Sequence, residues 1–172
     1  MGKQAKIPLH SVDKVLFGMG LSLSVAAVTY TGVIYGDLPN QIPTHFDLAG
    51  NADSWGSKSS IWIGGIIMVV TNLAIILVAV FNTKAKNSGK ELSVKGNARI
   101  VQYERRMIAI ISLCIGVISW DLVLSMSRKL TGNALSIAAV AIILVVVFGY
   151  SVVMLRIQRK DPGPGESTGP FK

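Results

Sequence analysis

The segment Leu38–Lys58 reads LPNQIPTHFDLAGNADSWGSK and separates two long apolar runs, Val15–Tyr35 and Ile61–Phe81. It is polar and punctuated by proline and glycine, whereas the residues on either side have the composition of membrane helices. A histidine, two aspartates, a tryptophan and a lysine fall within this short stretch. We therefore expect any site of the chain to lie here, at the ends of the flanking helices.

The composition predicts an integral membrane protein. Of the 172 residues, 51% are hydrophobic and 15% are charged, whereas soluble domains carry about 25% charged residues. The excess lies in four apolar runs: Val15–Tyr35, Ile61–Phe81, Met107–Met126 and Ala134–Leu155. Each run has about 20 residues, enough to span a hydrocarbon core of about 30 Å as a helix. The predicted fold is an all-α bundle of four transmembrane helices, with a short extracytoplasmic loop or β-hairpin between helices 1 and 2.

The first run is expected to remain in the protein, because the apolar region of a signal peptide has only about 7–15 residues. Basic residues predict the orientation. With the N-terminus inside, cytoplasmic segments hold 14 of the 17 basic residues, and the outer side keeps Lys58, Arg128 and Lys129. This asymmetry predicts cytoplasmic termini and explains the net charge of +8 without nucleic acid. The predicted segments are a cytoplasmic arm (1–14), a membrane domain (15–155) with an outer loop (37–60) and a cytoplasmic loop (82–106), and a disordered cytoplasmic tail (156–172).

Small residues predict how the helices pack, because close backbone approach stabilises helix pairs in lipid. Helix 1 offers Gly18/Ser22/Ala26 and Gly32/Gly36, and helix 3 offers Ser112/Gly116/Ser119. We expect these faces to pack inside the bundle, with dimerisation as the alternative. Asn72, near the middle of helix 2, is expected to form a hydrogen bond with a neighbouring helix, with a role in a transport pathway as the alternative. Residues 97–106 mix apolar and basic side chains and are expected to form a helical turn or two at the interface before helix 3.

The outer segment has the signals of a small hairpin. The predicted elements are a strand at Thr44–Leu48, a turn at Ala49–Asn51 that needs a positive φ, and a returning strand at Ala52–Trp55. Strand alternation places His45 and Asp47 on one side and Phe46 on the other. Phe46 and Trp55 are expected to anchor the loop at the level of the lipid headgroups.

Asp121 lies about five residues from the outer end of helix 3, roughly 8 Å deep at 1.5 Å per residue. A carboxylate inside the membrane is costly and needs a partner. The candidate partners are Lys58, Arg128 and His45, and we expect a charge-assisted contact with Lys58 or His45. Such a contact is either an ion pair that ties the outer loop to helix 3 or part of a functional pocket.

Metal binding and catalysis have weaker support. His45, Asp47, Asp53 and Asp121 have ligand types that suit zinc or another divalent cation, but their spacing matches neither HExxH nor a calcium loop. Acid–base hydrolysis by His45 and an aspartate is chemically conceivable, yet no nucleophile elbow or oxyanion-hole glycine cluster accompanies them. We therefore assign no metal, no cofactor and no catalytic residue, and leave enzymatic activity open.

Several residues of the outer segment follow a pattern found in a known family. The pattern is a Leu-Pro, a Pro-x-His-Phe, a glycine, an aspartate, and a lysine before the second helix. Here it falls on Leu38-Pro39, Pro43–Phe46, Gly50, Asp53 and Lys58. On these residues the chain resembles the N-terminal domain-of-unknown-function module of SdpI-type membrane proteins, the immunity proteins against the sporulation-delaying toxin. The resemblance covers about a third of the chain and leaves helices 3 and 4 unmatched.

The resemblance implies a multi-pass protein of the bacterial plasma membrane that recognises an extracytoplasmic peptide or envelope ligand, in immunity or sensing. We expect the ligand to contact His45, Phe46, Asp53, Trp55, Lys58 and Asp121. The partners are then the lipid bilayer, that peptide, and a membrane or cytoplasmic protein docked on the basic cytoplasmic loop. The alternatives are an accessory subunit of a larger membrane complex and, third, a metal-dependent membrane enzyme.

The predicted orientation has a direct test. A cysteine placed at Ser57 should react with an impermeant thiol reagent in intact cells, and a cysteine placed at Ser88 should not, because the basic residues keep the second loop inside. The opposite labelling would overturn the orientation.

Overall fold

The computed structural model describes residues 7–47, 49–82, 92–127 and 134–163. Within them the chain forms four helices and a β-hairpin. The elements are Ser11–Ile34 (α1), a 3-10 turn at Tyr35–Asp37, Gln41–Phe46 (β1), Ala52–Ser57 (β2), Ser60–Phe81 (α2), Val94–Met126 (α3) and Ala134–Lys160 (α4). All four helices are long and apolar enough to cross a membrane. The predicted fold class, a four-helix membrane bundle with a hairpin between helices 1 and 2, is confirmed.

The bundle has two chemically different ends. The hairpin end carries β1 and β2, between the C-terminus of α1 and the N-terminus of α2. At the opposite end, called the basic end below, the N-termini of α1 and α3 meet the C-termini of α2 and α4. An ion pair between Asp13 of α1 and Arg106 of α3 lies there.

α3 and α4 extend well beyond their apolar runs. α3 begins at Val94 rather than near Met107, so the amphipathic residues 97–106 are helical as expected but continuous with the membrane helix. No proline or glycine interrupts them, and Ser93 caps the helix by accepting a hydrogen bond from the amide of Gly96 at 3.0 Å. α4 continues to Lys160, so the first five residues of the predicted disordered tail are helical. Residues 164–172 of that tail lie outside the described residues.

α1 and α3 pack through glycine, as the sequence predicts, but on a different face of α1. A Cβ at Gly20 would lie 2.5 Å from the carbonyl oxygen of Ser112, and one at Gly116 would lie 2.7 Å from the carbonyl oxygen of Gly20. The α3 face Ser112/Gly116/Ser119 is buried as predicted, whereas Gly18, Ser22 and Ala26 of α1 are exposed, as are Gly32 and Gly36. The buried α1 face is instead Gly20, Ser24, Ala27 and Thr31.

Polar side chains explain why that face is chosen. Asn72 of α2 donates to the hydroxyl of Ser24 at 3.1 Å and to the carbonyl of Ser112 at 3.2 Å. Ser112 in turn donates to the Asn72 amide oxygen at 2.5 Å, and Ser24 lies 3.1 Å from the hydroxyl of Ser119. The interhelical hydrogen bond predicted for Asn72 is therefore confirmed, and its partners lie on both α1 and α3.

Arg105 closes the end of α2. Its side chain is almost fully buried and donates to backbone carbonyls of Ala79 (2.9 Å), Asn82 (2.9 Å) and Ile7 (2.7 Å). The last carbonyls of a helix lack intrahelical donors, and a cation is favourable at this end of the helix dipole. One side chain of α3 thus caps α2 and holds the segment before α1.

The glycine contact predicts a difference between two neighbouring substitutions. Gly20→Ala should destabilise the protein in detergent by about 1–3 kcal/mol, because its methyl group overlaps the α3 backbone. Gly18→Ala is the matched control, since a Cβ there meets nothing within 4 Å. Replacing glycine with alanine raises the helix propensity equally at both positions. The difference in thermal stability between the two variants therefore measures the overlap of the new methyl group with the α3 backbone. Equal stability of the two variants would contradict the packing described.

Candidate functional site

The hairpin turn is built by an aspartate and a glycine. The backbone amide of Asp47 donates to the carbonyl of Asn51 at 2.9 Å. Gly50 has a φ of 84°, which confirms the positive φ predicted for this turn. The Asp47 carboxylate accepts hydrogen bonds from the Asn51 amide at 2.8 Å and from its side chain at 3.2 Å. These bonds hold the pKa of Asp47 below its usual value. Asp47 therefore stabilises the turn.

The base of the hairpin is fixed in the helical core. Ile42 of β1 is fully buried, in a cluster with Ile34, Leu38, Ile61 and Val123. Phe46 is partly buried against the same cluster. The hairpin is therefore anchored to the bundle, and Phe46 packs against the helical core. Anchoring of Phe46 and Trp55 at the level of the lipid headgroups stays a prediction.

The distal part of the hairpin presents a polar pair. β1 and β2 are antiparallel, with a bulge near His45, which lies opposite Ser54. Nδ1 of His45 lies 2.6 Å from a carboxylate oxygen of Asp53. The two side chains are 70% and 46% exposed, so the pair is accessible from solvent. Trp55, on the same strand as Asp53, is also exposed.

Lys58 lies at the junction of the hairpin and α2. Its ammonium group is 5.0 Å from the centre of the Tyr35 ring, a cation–π distance. Tyr35 also packs against Trp62, with ring centres 5.7 Å apart. Tyr35 belongs to no motif of the sequence. Its position at the end of a membrane helix, where interfacial aromatic residues concentrate, is the one sequence signal for such a role.

The expected contact between Asp121 and the hairpin is wrong. Asp121 is buried, and one of its carboxylate oxygens accepts hydrogen bonds from the backbone amide (3.2 Å) and the hydroxyl of Ser136. Lys58 and His45 have the other partners described above, and Arg128 lies outside the described residues. The side of α3 that carries Val123 packs against the core cluster beneath the hairpin. Asp121 lies on the opposite side of α3 and therefore faces α4. It therefore links α3 to the start of α4.

The predicted site residues thus fall into two groups. His45, Phe46, Asp53, Trp55 and Lys58 all belong to the hairpin or its base, whereas Asp121 belongs to the contact between α3 and α4. Within the described ranges, no group of three or more His, Cys, Asp or Glu side chains is close enough to hold a metal ion. The hairpin offers a hydrogen-bonding pair, an aromatic surface and a cation, a combination suited to binding a polar ligand.

Comparison with known proteins gives one partial match. The family model for a domain of unknown function, DUF1648, matches residues 23–69. These residues include the second half of α1, the whole hairpin and the first part of α2. No curated protein and no solved structure matches the chain. The described residues form a four-helix membrane bundle, and the hairpin lies at the centre of the segment that matches the DUF1648 model.

The contact of Asp121 with Ser136 predicts energetic coupling. In a double-mutant cycle with Asp121→Ala and Ser136→Ala, the coupling energy should be about 1–3 kcal/mol, as expected for a hydrogen bond to a carboxylate. A cycle of Asp121→Ala with Lys58→Ala should be additive within about 0.5 kcal/mol. Thermal unfolding in detergent measures both cycles. Coupling to Lys58 with additivity at Ser136 would contradict the assignment.

The turn predicts a specific pH dependence. Asp47 has a lowered pKa in the folded turn, so the stabilisation by its carboxylate is present above pH 3.8 and is lost as the pH falls through the folded-state pKa. The amide proton of Asn51, followed by NMR in micelles, should therefore titrate with a midpoint below 3.8. Asp47→Asn should abolish this titration. A midpoint at or above 3.8 in the unmodified protein would refute the prediction.

Proposed function

We propose that the chain is a bacterial plasma-membrane protein, related to the SdpI type, whose hairpin recognises an extracytoplasmic peptide or envelope ligand in immunity or sensing. The observation that carries this proposal is the exposed His45–Asp53 pair on a hairpin whose base is fixed by Ile42. A rigid scaffold lowers the entropy lost when such a surface binds a ligand.

The side chains on the hairpin define the contacts of the proposed ligand. His45 and Asp53 provide hydrogen-bonding groups, with the role of the His45 ring set by its tautomer, and Lys58 provides a positive charge. Trp55, which is 45% exposed, provides apolar surface. Tryptophan is frequent among the residues that dominate binding energy in interfaces. Asp121 is left out of this surface, because it contacts α4.

The backbone of β2 supports a peptide as the ligand. In the described part of the chain the sheet consists of β1 and β2. β2 is therefore paired with another strand of this sheet along one edge only. Asp53, Ser54 and Trp55 are exposed along this strand. An extended peptide can add to such an edge through main-chain hydrogen bonds while its side chains contact the strand. The predicted orientation would place this edge outside the cell.

A second function, an accessory subunit of a membrane complex, is favoured by one observation. α4 packs mainly against α3, and its large apolar residues Leu144, Val145 and Phe148 are exposed. Lipid covers such a face in a monomer, and a neighbouring membrane protein would cover it in a complex.

Site-specific photo-crosslinking in intact cells tests the proposed function. A photoreactive amino acid replaces Trp55, and the matched control carries it at Val12, which has similar exposure at the basic end and does not line a described cavity. We expect a peptide-sized adduct at position 55 and none at position 12. His45→Ala in the same chain should weaken that adduct about two- to tenfold, the effect of losing one hydrogen bond.

The other outcomes separate the alternatives. One membrane protein captured in equal amount with the chain, and unaffected by His45→Ala, would replace ligand recognition with the subunit function. No adduct at position 55, with normal expression of the chain, would refute recognition by the hairpin.

A further inference from the structure

A cavity lies at the basic end, between α3 and α4. Its volume is about 820 Å³, within the range of about 300–1,000 Å³ that is typical of small-ligand sites. Arg99 and Arg106 line it from α3, and Arg156 and Lys160 line it from α4. Its apolar side includes Val153 of α4. We call this cavity the basic pocket.

The lengths of the two helices place the basic pocket at the membrane surface. α3 has 33 residues and α4 has 27, which correspond to about 50 Å and 40 Å. The hydrocarbon core is about 30 Å thick, so both helices extend beyond it. The lysine and arginine residues within 95–106 and 156–160 lie on these extensions. Tyr103 of α3 and Tyr150 of α4, whose rings are 5.9 Å apart, also line the pocket and fit the interfacial level where tyrosine is frequent.

The walls of the basic pocket are held together by a buried carboxylate. Asp161, just after α4, accepts hydrogen bonds from the amide and the hydroxyl of Ser93, both at 2.7 Å. The amide of Gly163 donates to the same carboxylate at 3.0 Å. A Cβ at Gly96 would lie 1.9 Å from an Asp161 oxygen, so only glycine leaves room for this contact. The end of α4 is thereby fixed to the start of α3, and the pocket is preformed.

Within the part of the chain that the structure describes, the positive charge in the basic pocket is only partly balanced by carboxylates. Arg106 is paired with Asp13. Arg99, Arg156 and Lys160 make no ion pair or side-chain hydrogen bond with the part of the chain that the structure describes. Among the described residues that line the pocket, Asp161 is the one carboxylate and five residues are lysine or arginine, so an excess of positive charge remains. Cations converging from two helices in this way favour an anion between them.

We propose that the basic pocket binds a phosphate-bearing anion, and that in the membrane this is the headgroup of an anionic phospholipid. Guanidinium groups match phosphate oxygens in bidentate geometry. Basic pockets between membrane helices are suited to acidic headgroups. Val153 and Ile157 give an acyl chain an apolar path toward the bilayer. The site is at the opposite end from the hairpin, so it does not depend on the function proposed above.

Lipid retention by the full chain tests this proposal. The protein is reconstituted with equal amounts of phosphatidylglycerol and phosphatidylcholine, extracted in mild detergent and examined by native mass spectrometry. We expect one phosphatidylglycerol retained in preference to phosphatidylcholine. The variant Arg99→Gln/Arg156→Gln should bind it at least about tenfold more weakly, because two cations near the headgroup are lost.

A charge-matched control separates a site from general electrostatic attraction. Lys14→Gln/Arg159→Gln removes the same charge from the basic end, at residues that do not line the basic pocket. It should retain the lipid like the unmodified protein. Equal weakening in both variants would overturn the proposal, as would equal retention of the two lipids by the unmodified chain, a result that does not depend on either variant folding.

A second experiment distinguishes a lipid headgroup from a soluble phosphate compound. Inorganic phosphate is titrated into the detergent-solubilised protein, and thermal stability is followed. Stabilisation by phosphate that is lost in Arg99→Gln/Arg156→Gln, without retained phosphatidylglycerol, would support a soluble phosphate compound as the source. No effect of either phosphate or lipid would refute the site.

Discussion

The close approach of the α1 and α3 backbones is the contact on which the rest of the bundle depends. Gly20 and Gly116 leave no space for a Cβ at this contact. The short distance brings Ser24 to Ser119 and lets Asn72 reach both helices. Apolar side chains gain little by leaving lipid, so tight packing and interhelical hydrogen bonds determine which helix faces meet.

Different residues satisfy the backbone hydrogen-bonding groups at the two ends of the bundle. Backbone groups near a bilayer must find partners within the protein or in water. At the basic end, Arg105 binds the last carbonyls of α2, and Asp161 binds the amide that starts α3. At the hairpin end, β1 and β2 pair with each other, and Ile42 fixes them to the core. The proposed peptide surface and the proposed phosphate site follow from this division.

Local signals account for most of what the sequence predicted correctly. Runs of about 20 apolar residues predict membrane helices because the bilayer thickness sets that length. The turn of the hairpin was predictable because Gly50 can adopt a positive φ at low cost, and the structure gives it that conformation. The partner requirement of Asn72 was predictable too, since a buried amide in lipid must be hydrogen-bonded. Five candidate site residues lie on or beside the hairpin because they are close in sequence, and their role in ligand binding stays a prediction.

Contacts between distant segments could not be predicted in the same way. Small residues occur on more than one face of α1, and the hydrogen bonds of Ser24 with Asn72 and Ser119 favour the face of Gly20 over that of Gly18. Asp121 binds Ser136 instead of the hairpin because the rotation of α3 is set by its packing against α1. The sequence by itself determined the helices, the hairpin and the polar groups that need partners, because these follow from local hydropathy and turn chemistry. Only the tertiary structure decided which partners they find, and it assembled the basic pocket from Arg99 and Arg156, because helix rotation depends on packing against all neighbours at once.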